Sequence, residues 1–231
     1  IPEAYTLDNY ATVFRDSPFM LWNSLLYCGI AAGLDVAIGT AIAYLMLRTT
    51  LPGRRVLDFV ASAAVAIPGL VLGIGYLRTF RGINLPFTDL PFVSFWTIIA
   101  FAFTVRRLPY ALRSCVAALQ QVHPSMEEAA ENLGANNRRT AFRIVVPLMA
   151  GGILAGFVTS FLTAAVEISA TLMLVSATSD APASYGIYLY MQSIVGRGPG
   201  AALGVITVLL VGLGTYASHR ILRARSLRFE T

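Results

Sequence analysis

There is no lysine among the 231 residues; all 17 basic side chains are arginine. Charge of either sign is scarce. Charged residues make up 13% of the chain against 56% hydrophobic, where an average soluble domain carries roughly 25% charged. A water-soluble domain of this size needs more polar surface, so the water-soluble reading is a poor one. Cysteine is nearly absent, with Cys28 and Cys115 far apart in apolar stretches, and His123 and His219 are equally isolated. That spacing fits neither a disulfide framework nor a zinc or iron site, and no catalytic residue or metal ligand set is expected. The net charge of +5 is not laid out as a basic run interleaved with exposed aromatics, which argues against nucleic acid as a partner. A signal-peptide pattern is also missing at Ile1-Pro2-Glu3. The expectation is that residue 1 is a cut point in a longer polypeptide.

Long apolar runs are what the chain does have. A hydrocarbon core of roughly 30 Å takes about 20 mostly apolar residues to cross as a helix. Five stretches approach that length: Phe19–Leu47 with Asp35 inside it, Phe59–Leu77 with Pro68, Phe92 to Val122 crossing Arg106, Arg107 and Pro109, Pro147–Ala165, and Ala201–Ser218. In lipid the backbone must satisfy its own polar groups, so these are helices. The expected fold is an all-α integral membrane protein with about five spans. Ten arginines (Arg48, Arg54, Arg55, Arg138, Arg139, Arg143, Arg220, Arg223, Arg225 and Arg228) fall in segments on one side of such a layout. The other side holds Arg15, Arg78, Arg81 and Arg197. Arginine-rich loops stay in the cytoplasm. The N-terminal segment is then external, which again implies an earlier span. An outer connection at Thr178–Pro199 carries a short helix around Tyr185–Val195. The pairs Gly29/Gly33, Gly69/Gly73, Gly152/Gly156 and Gly200/Gly204 offer close helix approach.

The informative loop is cytoplasmic, His123 to Gly134. Ser125 and Glu128 have capping-box spacing after Pro124. Glu127, Glu128 and Glu131 crowd the first turns, where the helix dipole favours anions. Gly134 supplies the left-handed residue that ends such a helix. The spacing predicts a short, sharply stopped helix of two to three turns. Ala129 and Ala130 give it one small face for close contact with a partner; an ordinary amphipathic surface helix has the same pattern.

Glu128-Ala129-Ala130, three residues, Gly134, nine residues, then Ile144-x-x-Pro147 resembles the EAA loop of type I ABC importer permeases. Val146 stands where that pattern has Leu, a mild apolar swap. The resemblance covers the whole chain, residues 1–231, and implies a MetI-like helical bundle in the bacterial inner membrane. It implies that Glu128, Ala129, Ala130, Gly134, Ile144 and Pro147 couple the chain to an ATP-binding subunit dimer, which holds ATP and Mg; this chain carries no cofactor. It further implies a periplasmic substrate-binding protein and a second permease half, fused, identical or different. In keeping with that division, no G-x-x-x-x-G-K-[ST] phosphate loop occurs. The segments Arg106–Arg113 and Glu167–Leu174 look similar to permeases for ferric iron, or next for organophosphonates such as 2-aminoethylphosphonate. Many of those carry two halves in one chain.

Ionisable residues inside a membrane are costly and mark functional hypotheses. Glu167, with Ser169 and Thr171, is a candidate lining of the translocation pathway, and a buried ion pair is the alternative. Arg106 and Arg107 either attract an anion there or tie span three to its neighbours. Asp35 reads as an interhelical hydrogen-bonding group. The competing function is an ion-coupled secondary transporter using Asp35 and Glu167; the inverted repeat that such transporters show is not visible.

Overall fold

The apolar runs resolve as helices. A computed structural model describes residues 6–84, 89–193 and 197–226, with the side chains of 217–219 and 221–226 outside the description. In chain order the helices are α1 (Asp8–Asp16), α2 (Pro18–Arg48), α3 (Arg54–Ala63), α4 (Gly69–Phe80), α5 (Thr97–Gln121), α6 (Ser125–Asn132), α7 (Asn137–Thr140), α8 (Val146–Leu148), α9 (Ala150–Ala165), α10 (Thr171–Leu174), α11 (Ala183–Gln192) and α12 (Gly198–Ser226). A π-helical turn, Ala141–Val145, joins α7 to α8.

By length and composition, α2 and the Gly198–Tyr216 part of α12 suffice to cross a membrane. Two broken pairs, Arg54–Ala66 with Gly69–Phe80 and Asn137–Leu148 with Ala150–Ala165, bring the number to as many as four among the described residues. The third expected span is α5, a continuous 25-residue helix whose Arg106, Arg107 and Arg113 keep it off that apolar measure. The second expected span is not one helix. Pro68 (φ −56°, ψ 138°) separates α3 from α4: its ring disfavours the helical region at the preceding Ile67 and leaves no backbone donor to continue the helix. The fourth bends by 68° before α9, where the wide turn is followed by Pro147.

The chain divides into two compact units. One comprises residues 1–31, 67–103 and 162–214. Its core is Val13, Met20, Ala181, Ala183, Ala202 and Leu203. Asn23 Nδ2 donates to the carbonyls of Ser179 (2.7 Å) and Ala181 (3.2 Å), and the Ala183 amide donates to Ser24 Oγ (2.7 Å). These bonds hold the outer connection on α2. The helix expected around Tyr185–Val195 is α11; residues 194–196 lie outside the described residues, as does Arg228. Tyr27 stacks on Trp96 at 5.4 Å, and α10 packs on α4.

The other unit comprises residues 32–66, 104–161 and 215–231. Its core is Ala43, Ala61, Leu112, Cys115, Ala118, Leu119, Val122, Val145 and Met149. Small residues make the seam. A Cβ added at Gly39 of α2 would lie 3.1 Å from the Leu112 amide nitrogen of α5. One at Gly152 of α9 would run into Ala118 Cβ, and one at Gly156 would sit 3.3 Å from Ala111 Cα. Three backbones therefore approach closely, as small-xxx-small spacing permits. At Gly29 and Gly33 a Cβ would meet nothing within 4 Å.

Candidate functional site

The loop after α5 begins where α5 runs out of backbone partners. The last carbonyls of a helix have no donor within it, and Arg48, at the end of α2, supplies one. Its Nη2 donates to Val122 O at 2.5 Å and to Leu119 O at 3.4 Å. Its Nε donates to Glu127 Oε1 at 2.5 Å, with both side chains largely buried at 14% and 13% exposure. One guanidinium thus joins α2, α5 and the first turn of α6. A planar fork can address a carboxylate and carbonyls together; an ammonium cannot match that geometry.

Helix α6 spans Ser125–Asn132 as expected, but its start differs from a capping box. Pro124 is the N-cap residue and no side chain caps it. Instead His123 Nδ1 lies 2.8 Å from Ser125 Oγ and accepts the Ser125 amide at 3.2 Å. The imidazole captures the hydroxyl, so Ser125 and Glu128 do not reciprocate. The other end forms as expected. Gly134 has φ +84°, its amide donates to Glu131 O (2.8 Å), and the Ala135 amide donates to Ala130 O (3.0 Å). This pair of bonds is a Schellman closure.

Ala130 is buried, whereas Glu128, Ala129 and Gly134 are exposed. Large apolar side chains stand free beside them: Leu133 at 90% exposure and Phe142 at 74%. Ile144 is half-buried in the π-helical turn and Pro147 is exposed in α8. A groove of about 430 Å³ runs beside α6, lined by Gln121, His123, Met126, Leu148, Gly151 and Gly152 among others.

The expected pathway residues occupy two separate settings. In the first unit α9 ends at Ala165, and Glu167 lies beyond it in a non-helical turn before α10, not within a continuing span. Its carboxylate accepts the amides of Ser169 (2.9 Å) and Ala170 (3.3 Å). Its carbonyl accepts the hydroxyls of Thr171 (3.0 Å) and Ser184 (2.8 Å). Glu167 and Thr171 are buried, and Ser169 is half-buried. The run after Ala165 carries no proline or glycine to announce this break. In the second unit Arg106 and Arg107 are half-buried on α5, with the Arg107 guanidinium 6.0 Å from the Tyr110 ring. Asp35, fully buried, accepts a hydrogen bond from Ser160 of α9, the interhelical role its position suggests. The sequence reading missed Ser160, Arg48 and the pairing of Glu127. A serine inside an apolar run is the one available signal for the first; partners 79 residues apart leave none for the others.

A family model described as binding-protein-dependent transport system inner membrane component matches residues 29–228. The ferric transport system permease protein FbpB of Actinobacillus pleuropneumoniae is 34% identical over 78% of this chain and 26% of its own length. The chain therefore spans about a quarter of that relative. The molybdenum transport system permease protein ModB of Escherichia coli K12 is 30% identical, covering 89% of this chain and 94% of its own. Among solved structures, an inward-facing MetNI methionine ABC transporter matches 95% of this chain and 99% of its own at a TM-score of 0.70 and 18% identity. That last likeness carries the fold: an all-helical, MetI-like bundle. The organophosphonate expectation draws no support from these relatives. Matched along most of its length, and equal in extent to a molybdenum permease, the chain belongs to the inner membrane components of binding-protein-dependent transport systems, multi-pass ABC importer permeases that carry no catalysis of their own.

Proposed function

We propose that this chain is one half of a permease whose coupling helix α6 docks on a separate ATP-binding subunit. The observation that carries this is the loop itself. A two-turn helix is locked at both ends, by Arg48 and by the left-handed Gly134, and presents Glu128, Ala129 and Leu133 outward. ATP and Mg are used by a dimer of the partner subunits, and their closure drives α6. Ile144 and Pro147 belong to the same coupling element, since they set the bend that leads into α9. A second permease half, in the same polypeptide, identical or different, completes the pathway, and a periplasmic binding protein delivers substrate.

Ferric iron is the substrate we infer first, supported by the 34% identity to a ferric permease. Molybdate stands second, supported by the near full-length match to ModB and by the half-buried cations Arg106 and Arg107 on α5. Glu167, Ser169 and Thr171 contribute to the pathway by shaping the turn between α9 and α10; Ser169 is the most accessible of the three. The test is purification of the full-length permease from its native membrane, with identification of bound subunits and uptake of ferric iron and of molybdate into vesicles. ATP-dependent iron uptake with a co-purifying ATP-binding subunit is expected. Molybdate uptake alone reverses the substrate order, and the absence of any nucleotide-hydrolysing partner removes the reading.

A further inference from the structure

We propose that Arg48 is a positioning residue for energy coupling: its guanidinium fixes α6 to the ends of α2 and α5, so that load applied to α6 enters both helices together. This rests on the reading in which α6 docks on an ATP-binding subunit. A short helix held only by its chain ends would turn about its loops when pushed, and the push would be lost. Here the side next to α5 is tied through a largely buried charge pair. Arg48 Nε meets Glu127 Oε1 at 2.5 Å, and Nη2 takes the carbonyls of Val122 and Leu119. Charge-assisted hydrogen bonds are about twice as strong as neutral ones, and both side chains are largely buried, which reduces screening. The placement also suits both dipoles: the cation stands at the C-terminal end of α5, and the carboxylate lies in the first turn of α6.

The anchor is itself held in a packed core. Tyr44 and Leu47, on the turn before Arg48, pack against the cluster of Leu119, Val122 and Val145. Thr40, one turn before Tyr44 on α2, has its Oγ1 3.4 Å from Cys115 Sγ. Motion of α6 therefore cannot leave α2 behind without breaking the Arg48 bonds. Glu127 differs in this from its neighbour Glu128, whose side chain is exposed and available to a partner. Two adjacent carboxylates thus divide the work: one faces the permease, the other faces out.

Three variants test this in the full-length permease purified with its ATP-binding subunit and binding protein: Glu127→Gln, Arg48→Lys, and the exchange Arg48→Glu with Glu127→Arg. Glu127→Gln keeps the side-chain shape and removes the charge. Two readouts are taken, hydrogen exchange at residues 125–135 and substrate transported per ATP hydrolysed. The expected result is exchange at α6 faster by roughly fivefold or more, with transported substrate per ATP falling by a similar factor while hydrolysis continues. Arg48→Lys lies between wild type and Glu127→Gln, and the exchanged pair recovers part of the coupling. Unchanged exchange at α6 in Glu127→Gln overturns the tie, and faster exchange with an unchanged transport-to-ATP ratio overturns its role in coupling. A wild-type complex lacking any nucleotide-hydrolysing subunit overturns the proposed function instead; the exchange result then decides the tie alone.

Discussion

Replacing Gly134 by alanine isolates the backbone contribution to α6, the proposed coupling helix. Gly134 sits at φ +84°, and a Cβ there would meet nothing within 4 Å. The substitution therefore introduces no clash, and its cost is that of holding a side-chain-bearing residue in the left-handed region, about 1–2 kcal/mol. That strain bears on the two closing bonds, Gly134 N to Glu131 O and Ala135 N to Ala130 O. A penalty of this size raises the population of the opened C-terminus of α6 by a factor of roughly 5–30. Asparagine tolerates the left-handed region, so Gly134→Asn is expected to lie close to wild type. Gly134→Asp adds a negative charge beside Glu131 at the negative end of the helix and is expected to be worst. The assay is hydrogen exchange at residues 131–136 together with uptake and ATPase stimulation, membrane insertion being checked separately. Equal exchange and uptake in the alanine and asparagine variants would show that the left-handed closure does not hold the helix, and the reasoning would fail.

Gly152→Val should lower the thermal stability of the solubilised complex by about 1–3 kcal/mol through overpacking, because a Cβ there runs into Ala118 Cβ and lies 3.1 Å from Ser114 O; a melting temperature equal to wild type refutes the seam. Ser160→Ala removes the donor to buried Asp35 and should cost about 1–3 kcal/mol, read by the same melt, with Ser160→Thr closer to wild type. Glu167→Gln keeps a side-chain oxygen able to accept the Ser169 amide, so assembly should survive while uptake weakens. Unchanged uptake at limiting and saturating substrate removes Glu167 from the pathway.

The loop from His123 to Gly134 was legible because its signals are local. Pro124, the acidic first turn and Gly134 each act within one or two turns, and α6 has the expected bounds. The failed detail was also local: the imidazole of His123 competes for Ser125, and a capping-box pattern does not reveal a neighbour that binds the same hydroxyl. The ties that make the loop rigid were not legible at all, since Arg48 reads as one more cytoplasmic arginine until α2 and α5 are brought together. Spans were found by apolar length, but the break after Ala165 was not, because Val166-Glu167-Ile168-Ser169 offers no breaker and the turn is held by the carboxylate and carbonyl of Glu167.

Two prolines make the same point with opposite outcomes. Pro68 separates α3 from α4, while α5 runs from Thr97 to Gln121 through Pro109, although both rings remove one donor and crowd the preceding turn. The difference lies in what surrounds them. Val65 and Ile67 before the first break are 46% and 39% exposed, so little packing opposes an extended residue. Next to Pro109, Ala111, Leu112 and Cys115 are fully buried, with Gly39 on one side and Gly152 and Gly156 on the other admitting α2 and α9 to van der Waals contact. Bending α5 there would open that seam and lose its close-packed contacts. The helix that continues through its proline is also the one whose final carbonyls Arg48 grips. The Arg48 bonds and the Gly39, Gly152 and Gly156 contacts thus fall along one unbroken helix, and in the proposed coupling a displacement of α6 would reach α2 and α9 along it.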